Sequence, residues 1–337
     1  MVLNCNAYVV FVNRKELIRD IALPGLPESR GRTMLKKLSG LCCVALCFII
    51  MGASYPIAKE AIDSIPTWIF TFITLVIGFI FLLPLTIVKD KTNWLHIRGR
   101  DWLIVSVLSL LGAVLYTVFL LYGLASTTAL TASVITSAAP AAVLLIAVVF
   151  MGDKLRLNTT LSVILAVISV VIMTFQASQQ GEHNTATGLL FLLLSTLVNA
   201  LNLIVANKVH ASLKPLTMSA GVCLTGAIFS LPLALHELHS YRLSSITASD
   251  AGIMVYYGVV VWAITYILFF MGVHKISASA VGMCVALIPV AAMLCSVSFF
   301  GASVKSRDII ATLVIVLSII FSELDLGALL RRGRQPR

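Results

Sequence analysis

The sequence predicts an all-α integral membrane protein with ten membrane-spanning helices, built as two five-helix repeats of opposite orientation. Three observations predict this fold: the composition, the spacing of the charged residues and an internal repeat. Of the 337 residues, 59% are hydrophobic and only 11% are charged, and the mean hydropathy is +1.03. Soluble proteins average roughly 25% charged residues because they cover their surface with polar side chains. The composition therefore excludes a soluble enzyme, a nucleic-acid-binding protein, a fibrous protein and a disordered chain, and it indicates a lipid bilayer as the solvent.

Charged residues outline the predicted spans, because a charge at the centre of a spanning helix costs about 2.5–3.5 kcal/mol. The longest charge-free stretch, 102–152, exceeds what one helix needs to cross a hydrocarbon core of about 30 Å. We expect two spans there, with a turn near 123–127. The ten predicted spans are 38–58, 67–88, 102–122, 127–150, 157–176, 187–207, 215–236, 251–273, 277–301 and 308–323.

Helices are predicted because lipid admits only helices and closed barrels, and these runs lack the alternation of barrel strands. The distribution of Lys and Arg supports ten spans, since cytoplasmic flanks accumulate basic residues. With a cytoplasmic N-terminus, 20 of the 24 basic residues fall on the cytoplasmic side. The net charge of +10 is thus explained by topology, and both termini are predicted to be cytoplasmic.

The chain is divided into four predicted regions. A basic tail covers 1–34, the first repeat covers 35–180, the second covers 181–325, and a second basic tail covers 326–337. The first tail is expected to be largely disordered, and Met34 is an alternative start to Met1. The seven Cys show no metal-ligand spacing and no disulfide framework, so we interpret them as packing residues. No metal and no cofactor are predicted.

The internal repeat is visible when the chain is aligned with itself. At an offset of 148, Gly40 meets Gly188 and the LPL at 83–85 meets the LPL at 231–233. At an offset of 149, further Asp, Gly, Ala and Pro residues coincide: Asp101 with Asp250, Gly123 with Gly272, Ala129 with Ala278, Pro140 with Pro289 and Gly152 with Gly301. Because five spans is an odd number, the second copy must enter the membrane from the opposite side, which is typical of secondary transporters.

The first span carries a motif that resembles a known family. The stretch MGASYPIAK at 51–59 is similar to the W-G-x-x-F-x-x-x-K signature of the EamA-type family, in the drug/metabolite transporter superfamily. Gly52, Tyr55 and Lys59 fit this signature, and Met51 replaces the Trp.

A second segment strengthens the resemblance. Residues 122–156 resemble the family's strongest segment, with Pro140 in mid-helix, Gly152 at the end of the helix and Asp153 in the place of a Glu. Residues 271–305 are similar in the second half but lack that carboxylate. The resemblance covers roughly 35–325.

The resemblance implies a fold of ten spans around a central cavity and the export or exchange of small metabolites. Together with the inverted repeat, it predicts a secondary transporter, not an enzyme, which moves small organic metabolites such as amino acids across the membrane by alternating access. The predicted partners are a small-molecule metabolite and the lipid bilayer, and no nucleic acid is expected. A homodimer is an alternative to a monomer. The predicted location is the bacterial inner membrane.

Prolines inside three spans mark candidate helix breaks. Pro56, Pro140 and Pro289 each remove one backbone hydrogen bond and free a carbonyl four residues earlier. Breaks at corresponding positions of two halves, as in spans 4 and 9, favour a site at the membrane midplane. A packing kink without ligand contact is the alternative.

Polar and aromatic side chains near these breaks are the candidate binding residues. Hydroxyls in span 4 recur on one helical face, but they could equally bond to their own helix. Aromatic rings could stack on a flat or cationic cargo, and a Lys at the end of span 1 could attract an anion or simply reach to water. The candidates are Ser54, Tyr55, Lys59, Tyr116, Ser133, Thr136, Ser137, Asn199, Asn202, Trp262 and Tyr266.

Two other classes of function stay as alternatives, a flippase for a lipid-linked substrate and an integral membrane enzyme. The only cluster that an enzyme could use is His236, Glu237 and His239, and it lacks further ligands nearby in the sequence. No ionisable residue lies in the middle of a predicted span, so proton coupling through a buried carboxylate is not expected. The absence of such a residue is consistent with a facilitator or an exchanger.

Overall fold

The structure is a computed structural model that describes residues 28–151, 157–179, 185–208, 213–276 and 278–323. Within these residues every regular element is helical. A lipid-facing backbone must satisfy its polar groups internally, and helices do so within one segment. The predicted tail at 326–337 lies outside the described residues, as does most of the tail at 1–34.

The described chain forms ten helical segments, which we name α1 to α10. The bounds are α1 Glu28–Ile62, α2 Thr67–Asp90, α3 Gly99–Ala125, α4 in two parts (Ala129–Thr136 and Ala139–Met151), α5 Leu157–Gln179, α6 Ala186–Lys208, α7 Pro215–Leu238, α8 Ala248–Gly272, α9 in two parts (Ala278–Val285 and Leu287–Phe300) and α10 Ser306–Glu323.

Eight of these segments are long and apolar enough to cross a membrane: α1 to α4 and α6 to α9. The protein is therefore a multi-pass integral membrane protein. The other two, α5 and α10, are helices that pack along each other. They coincide with the predicted fifth and tenth spans.

The packing of the helices repeats after five segments. The pairs α1–α9, α1–α8 and α2–α8, each of which joins the two repeats, correspond after a shift of five segments to α6–α4, α6–α3 and α7–α3. The helices α2 and α7 pack on each other, as do α5 and α10. A shift of five segments exchanges the two members of each of these pairs. The two halves are thus related by an approximate two-fold axis.

Glycines at the repeat positions let the helices of this bundle approach closely. A Cβ on Gly272 of α8 would lie 2.8 Å from the carbonyl oxygen of Gly40 of α1, and one on Gly123 of α3 would lie 3.2 Å from that of Gly188 of α6. These are four of the six glycines that coincide in the sequence repeat. Small residues at such crossings allow tight packing between helices in lipid.

The pair α2–α7 is fixed at both ends by carboxylates. Glu237 of α7 accepts hydrogen bonds from the backbone N–H groups of Trp68 and Ile69, at 2.9 and 3.1 Å. At the other end, Asp90 of α2 accepts from the backbone N–H and the hydroxyl of Thr217, at 3.1 and 2.8 Å. The N-terminus of each helix has no capping side chain of its own, so its partner helix supplies the negative group that the helix dipole favours.

Irregular backbone also occurs at matching positions. The helix α3 contains a π-helical stretch at Leu110–Leu115 and α8 contains one at Tyr257–Ile264. The breaks of α4 and α9 fall just before Pro140 and Pro289. In contrast, α1 runs through Pro56 without interruption. It begins at Glu28, so the last residues of the predicted disordered tail are helical.

Candidate functional site

A cavity of about 120 Å³ lies between the two halves. It is bordered by α1, α3, α6, α8 and the broken helices α4 and α9. A space of this size accommodates several water molecules or a small organic molecule. The lining residues are Cys47, Phe48, Met51, Ser54, Tyr55, Gly112, Tyr116, Thr117, Leu120, Leu121, Ala139, Asn199, Asn202, Leu203, Tyr257, Val261, Trp262, Thr265, Tyr266, Phe269, Val285 and Ile288.

The lining is aromatic and carries no formal charge. Among these described residues there is no Asp, Glu, Lys, Arg or His. The rings of Trp262 and Tyr266 are stacked, with centroids 5.7 Å apart and planes 13° apart. Such faces attract flat molecules and cations through their quadrupole.

Three hydroxyls form a chain beside the cavity. The hydroxyl of Tyr55 lies 2.9 Å from that of Tyr116 and 2.7 Å from that of Thr136. Thr136 donates its own proton to the carbonyl of Ala132 at 2.8 Å. Tyr55 must therefore donate to Thr136, and Tyr116 must donate to Tyr55, because each hydroxyl has one proton.

Other polar groups of the lining also donate to the protein. Tyr257 donates to the carbonyl of Ser54 at 2.5 Å, and the Ser54 hydroxyl donates to the carbonyl of Met51 at 2.7 Å. The Trp262 indole donates to the Thr74 hydroxyl at 3.1 Å. These bonds fix the rings and leave oxygen lone pairs as the polar groups that face a ligand.

Asn202 is the exception in this network. Its Oδ1 is buried and has no hydrogen-bond partner among the described residues. The amide rests against Gly112 in the π-helical stretch of α3, where a Cβ would approach it to 2.7 Å. A buried acceptor without a partner costs about 1–3 kcal/mol, so this oxygen favours a ligand that brings a donor.

One end of the bundle is closed by polar contacts. Lys59, near the end of α1, donates to the carbonyls of Leu124 and Ala125 at the end of α3, at 2.6 and 3.2 Å. Tyr55 and Thr136 meet one turn closer to the cavity. We call this the closed end, defined by Lys59, Leu124, Tyr55 and Thr136. The lining residues of α6 and α8 extend from mid-helix towards the opposite end, whereas those of α1 and α3 extend from mid-helix towards the closed end.

Seven of the sequence-predicted site residues line the cavity: Ser54, Tyr55, Tyr116, Asn199, Asn202, Trp262 and Tyr266. Thr136 borders it through Tyr55. Ser133 and Ser137 are buried and donate to carbonyls of their own helix, at 2.8 and 2.6 Å. Lys59 lies outside the cavity. The role of all these residues in binding stays a prediction.

The three prolines predicted to break helices do not line the cavity themselves, and α1 is unbroken at Pro56. The residue before each proline, Tyr55, Ala139 and Ile288, is part of the lining. At the break of α4, the carbonyl of Ile135 accepts from Thr196 of α6 at 3.2 Å. The break is therefore bonded to a neighbouring helix as well as open to the cavity.

The structure gives Glu237 of the predicted cluster a different partner. Its carboxylate is bonded to the start of α2, as described above. Within the described residues no group of three or more His, Cys, Asp or Glu could hold a metal ion.

Sequence reasoning missed several lining residues, above all Tyr257 and the pair Leu203 and Val285. Tyr257 precedes Trp262 by five residues, which an ideal α-helix places on different faces, but the π-helical stretch brings them to the same cavity. Leu203 and Val285 could have been found from the repeat, because they correspond to Tyr55 and Thr136 at the two offsets.

The fold and the cavity define a class of protein, a multi-pass membrane protein with an internal cavity between two related halves. The comparisons with known proteins identify the family. The EamA-like transporter family matches residues 38–175 and 186–324, one match for each repeat. The chain therefore belongs to this family, within the drug/metabolite transporter superfamily.

Individual relatives agree with this assignment. The "Uncharacterized transporter YetK" of Bacillus subtilis (strain 168) is 26% identical over 276 residues, which cover 81% of this chain and 83% of that protein. An "Uncharacterized transporter" of Archaeoglobus fulgidus is 22% identical over 224 residues, 66% of this chain and 78% of that protein. A protein of known crystal structure matches with a TM-score of 0.63 and 17% identity, over 90% of this chain and 99% of that one, which shows a shared fold.

Proposed function

We propose that the protein is a secondary transporter that moves a small organic molecule through the central cavity by alternating access. In this proposal all ten helical segments cross the membrane, the two halves are inverted, and both termini are cytoplasmic. The membrane is the bacterial inner membrane, and the transporter works as an exporter or exchanger.

The observation that carries the proposal is the position of the cavity between two halves with equivalent contacts. A transporter of inverted repeats changes its open side when its halves exchange conformations. Here the polar contact of Tyr55 with Thr136 at the closed end corresponds to Leu203 and Val285, which line the cavity. Among the described residues, α1 packs on the first part of α4, whereas the equivalent helices, α6 and the first part of α9, make little contact. This difference between the two ends supports one state of such an exchange.

Transport without a buried charge fits this lining. A proton relay through the midplane needs an ionisable group there, and the lining contains no carboxylate, Lys, Arg or His. We therefore propose facilitated diffusion or exchange, with the cargo gradient as the source of free energy.

The test begins with the purified protein and a metabolite panel read by thermal stabilisation, because a ligand of the folded state raises the melting temperature. A stabilising compound is then loaded into proteoliposomes without nucleotide. We expect saturable exchange of labelled compound, which Pro140→Ala slows while leaving membrane insertion intact. Ligands that stabilise the protein but never cross the bilayer would contradict transport.

A further inference from the structure

We infer that the cavity selects aromatic nitrogen bases, rings that carry amine or amidine N–H donors, and rejects carboxylates of the same shape. This inference rests on the proposed function for the direction in which the cargo moves, but the binding preference itself follows from the lining. It names the chemical class that the cavity takes.

Most hydroxyls of the cavity lining already donate their proton to another atom of the protein. Tyr116, Tyr257 and Ser54 each direct their hydroxyl proton to a protein oxygen. Thr265 donates to the carbonyl of Val260 at 3.0 Å, and the Trp262 N–H is bonded to Thr74. The four hydroxyls can then only accept from a ligand, and the Trp262 indole has no further hydrogen bond to offer.

The lining also contains a hydrogen-bond acceptor that has no partner among the described residues. Asn202 Oδ1 is buried without a partner among the described residues, so a ligand N–H would satisfy it. The hydroxyls of Thr117 and Tyr266 and the amide of Asn199 also line the cavity, and each of these groups can accept. Because each of them also carries an O–H or N–H donor, the preference for a donor ligand rests on Asn202 Oδ1, which is buried without a partner in the described part of the chain.

The described cavity lining has no positive charge that could bind an anion. A carboxylate only accepts hydrogen bonds, and a desolvated anion needs a cation or several aimed donors. The lining has no Lys, Arg or His, and Lys59 is occupied by the carbonyls of Leu124 and Ala125. The electron-rich ring faces add repulsion for an anion and attraction for a cationic or polarised N–H group.

The aromatic residues of the lining favour a ligand that contains a flat ring. Trp262 stacks on Tyr266, which also stacks on Phe270, and Phe48, Tyr257 and Phe269 add further rings to the lining. A flat molecule buries its faces there, while its N–H groups reach the acceptors.

Benzamidine and benzoate test the inference, because they have nearly the same shape and opposite hydrogen-bonding character. Binding to the purified full-length protein in nanodiscs is measured by calorimetry, with guanidinium as the probe without a ring. We expect benzamidine to bind at least about tenfold more tightly than benzoate, the effect of one satisfied buried acceptor. It should also bind more tightly than guanidinium, which has the N–H donors but no ring to bury against the aromatic lining. Equal or tighter binding of benzoate, or no binding of benzamidine, overturns the inference.

Substitutions of Asn202 test whether the binding preference arises in the cavity. Asn202→Leu removes the acceptor and should weaken benzamidine binding about tenfold. The matched control Asn93→Leu changes an exposed Asn in the loop between α2 and α3 and should leave binding unchanged. Should Asn202→Leu unfold the protein, Asn202→Asp provides the second variant, since an added negative charge should strengthen benzamidine binding. Unchanged or weaker binding by folded Asn202→Asp contradicts the inference.

Uptake in proteoliposomes separates this inference from the proposed function. Binding of benzamidine without uptake supports the ligand class and contradicts transport. Uptake of benzoate but not of benzamidine supports transport and overturns the ligand class.

Discussion

The hydroxyl of Tyr55 on α1 lies 2.7 Å from the hydroxyl of Thr136 on α4, next to the break in that helix. The equivalent residues of the second repeat, Leu203 and Val285, are apolar and face the cavity. The two repeats thus share one backbone plan but differ in how their ends are held together. A polar bond joins the two helices at the closed end, while both residues at the equivalent position are apolar.

The first prediction concerns the state that the structure does not display. In a chain whose native Cys are replaced, Leu203→Cys with Val285→Cys should be bridged by a short bifunctional methanethiosulfonate, because the proposed exchange of the halves would bring these positions as close as Tyr55 and Thr136 are now. A bifunctional reagent is needed because a Tyr side chain spans more than a disulfide does. The cross-link should accumulate over time and stop transport until it is reduced. Its complete absence, alongside an active uncross-linked protein, would argue against exchange of the two halves.

A second prediction tests the polar bond at the closed end. Tyr55→Phe keeps the ring but removes the oxygen between Tyr116 and Thr136, which should weaken the closed end by about 1 kcal/mol. Cys47 lines the cavity, so its rate of alkylation from the closed end should rise about fivefold. The control is Tyr241→Phe, which removes a buried hydroxyl that has no partner among the described residues and should not change the rate.

A third prediction concerns the crossing of α1 and α9. A Cβ on Gly52 would overlap the carbonyl oxygen of Ile288, and neither backbone can yield without moving a helix. Gly52→Ala should therefore destabilise the protein by about 1–3 kcal/mol, measured as the loss of folded protein during heating in detergent. Gly252→Ala is the matched control, because nothing lies within 4 Å of its added methyl group, and its stability should match or slightly exceed that of the parent.

A fourth prediction concerns the carboxylates that join α2 and α7. Glu237→Gln and Asp90→Asn should each lower stability by about 1 kcal/mol, since each removes a negative charge from a helix N-terminus. The two effects should add, because the residues lie at opposite ends of the pair. Thermal unfolding of both single variants and the double variant checks this, and Glu60→Gln, a change at an exposed carboxylate, should leave the melting temperature unchanged.

Much of the helical framework could be predicted from the sequence because charges are excluded from apolar spans. The predicted boundaries at 67–88 and 215–236 lie within two residues of the helices Thr67–Asp90 and Pro215–Leu238. The start of α1 was less predictable, because the one helix-weakening residue between Glu28 and the apolar run, Gly31, lies inside the helix. Boundaries fixed by charge are therefore easier to predict than boundaries within a mixed basic segment.

The candidate site was partly predictable for a related reason. Polar residues in apolar helices are rare, so Asn199, Asn202 and Tyr55 could be selected from the sequence alone. The direction that a side chain takes depends on helical phase, and the π-helical stretches change that phase within α3 and α8. Which end is closed depends on contacts between distant residues, such as Lys59 with Leu124, and no local pattern indicates them.

Inversion of the two halves is the central claim, and labelling of one pair of loop positions tests it most directly. His96 and Ser245 are equivalent by the repeat, and both are exposed, in short 3-10 turns that precede α3 and α8. In a chain without native Cys, His96→Cys and Ser245→Cys are treated separately with a membrane-impermeant maleimide on intact cells. The account predicts that only Ser245→Cys is labelled before permeabilisation and that both are labelled afterwards. Labelling of both positions, or of neither, in intact cells would contradict inverted halves.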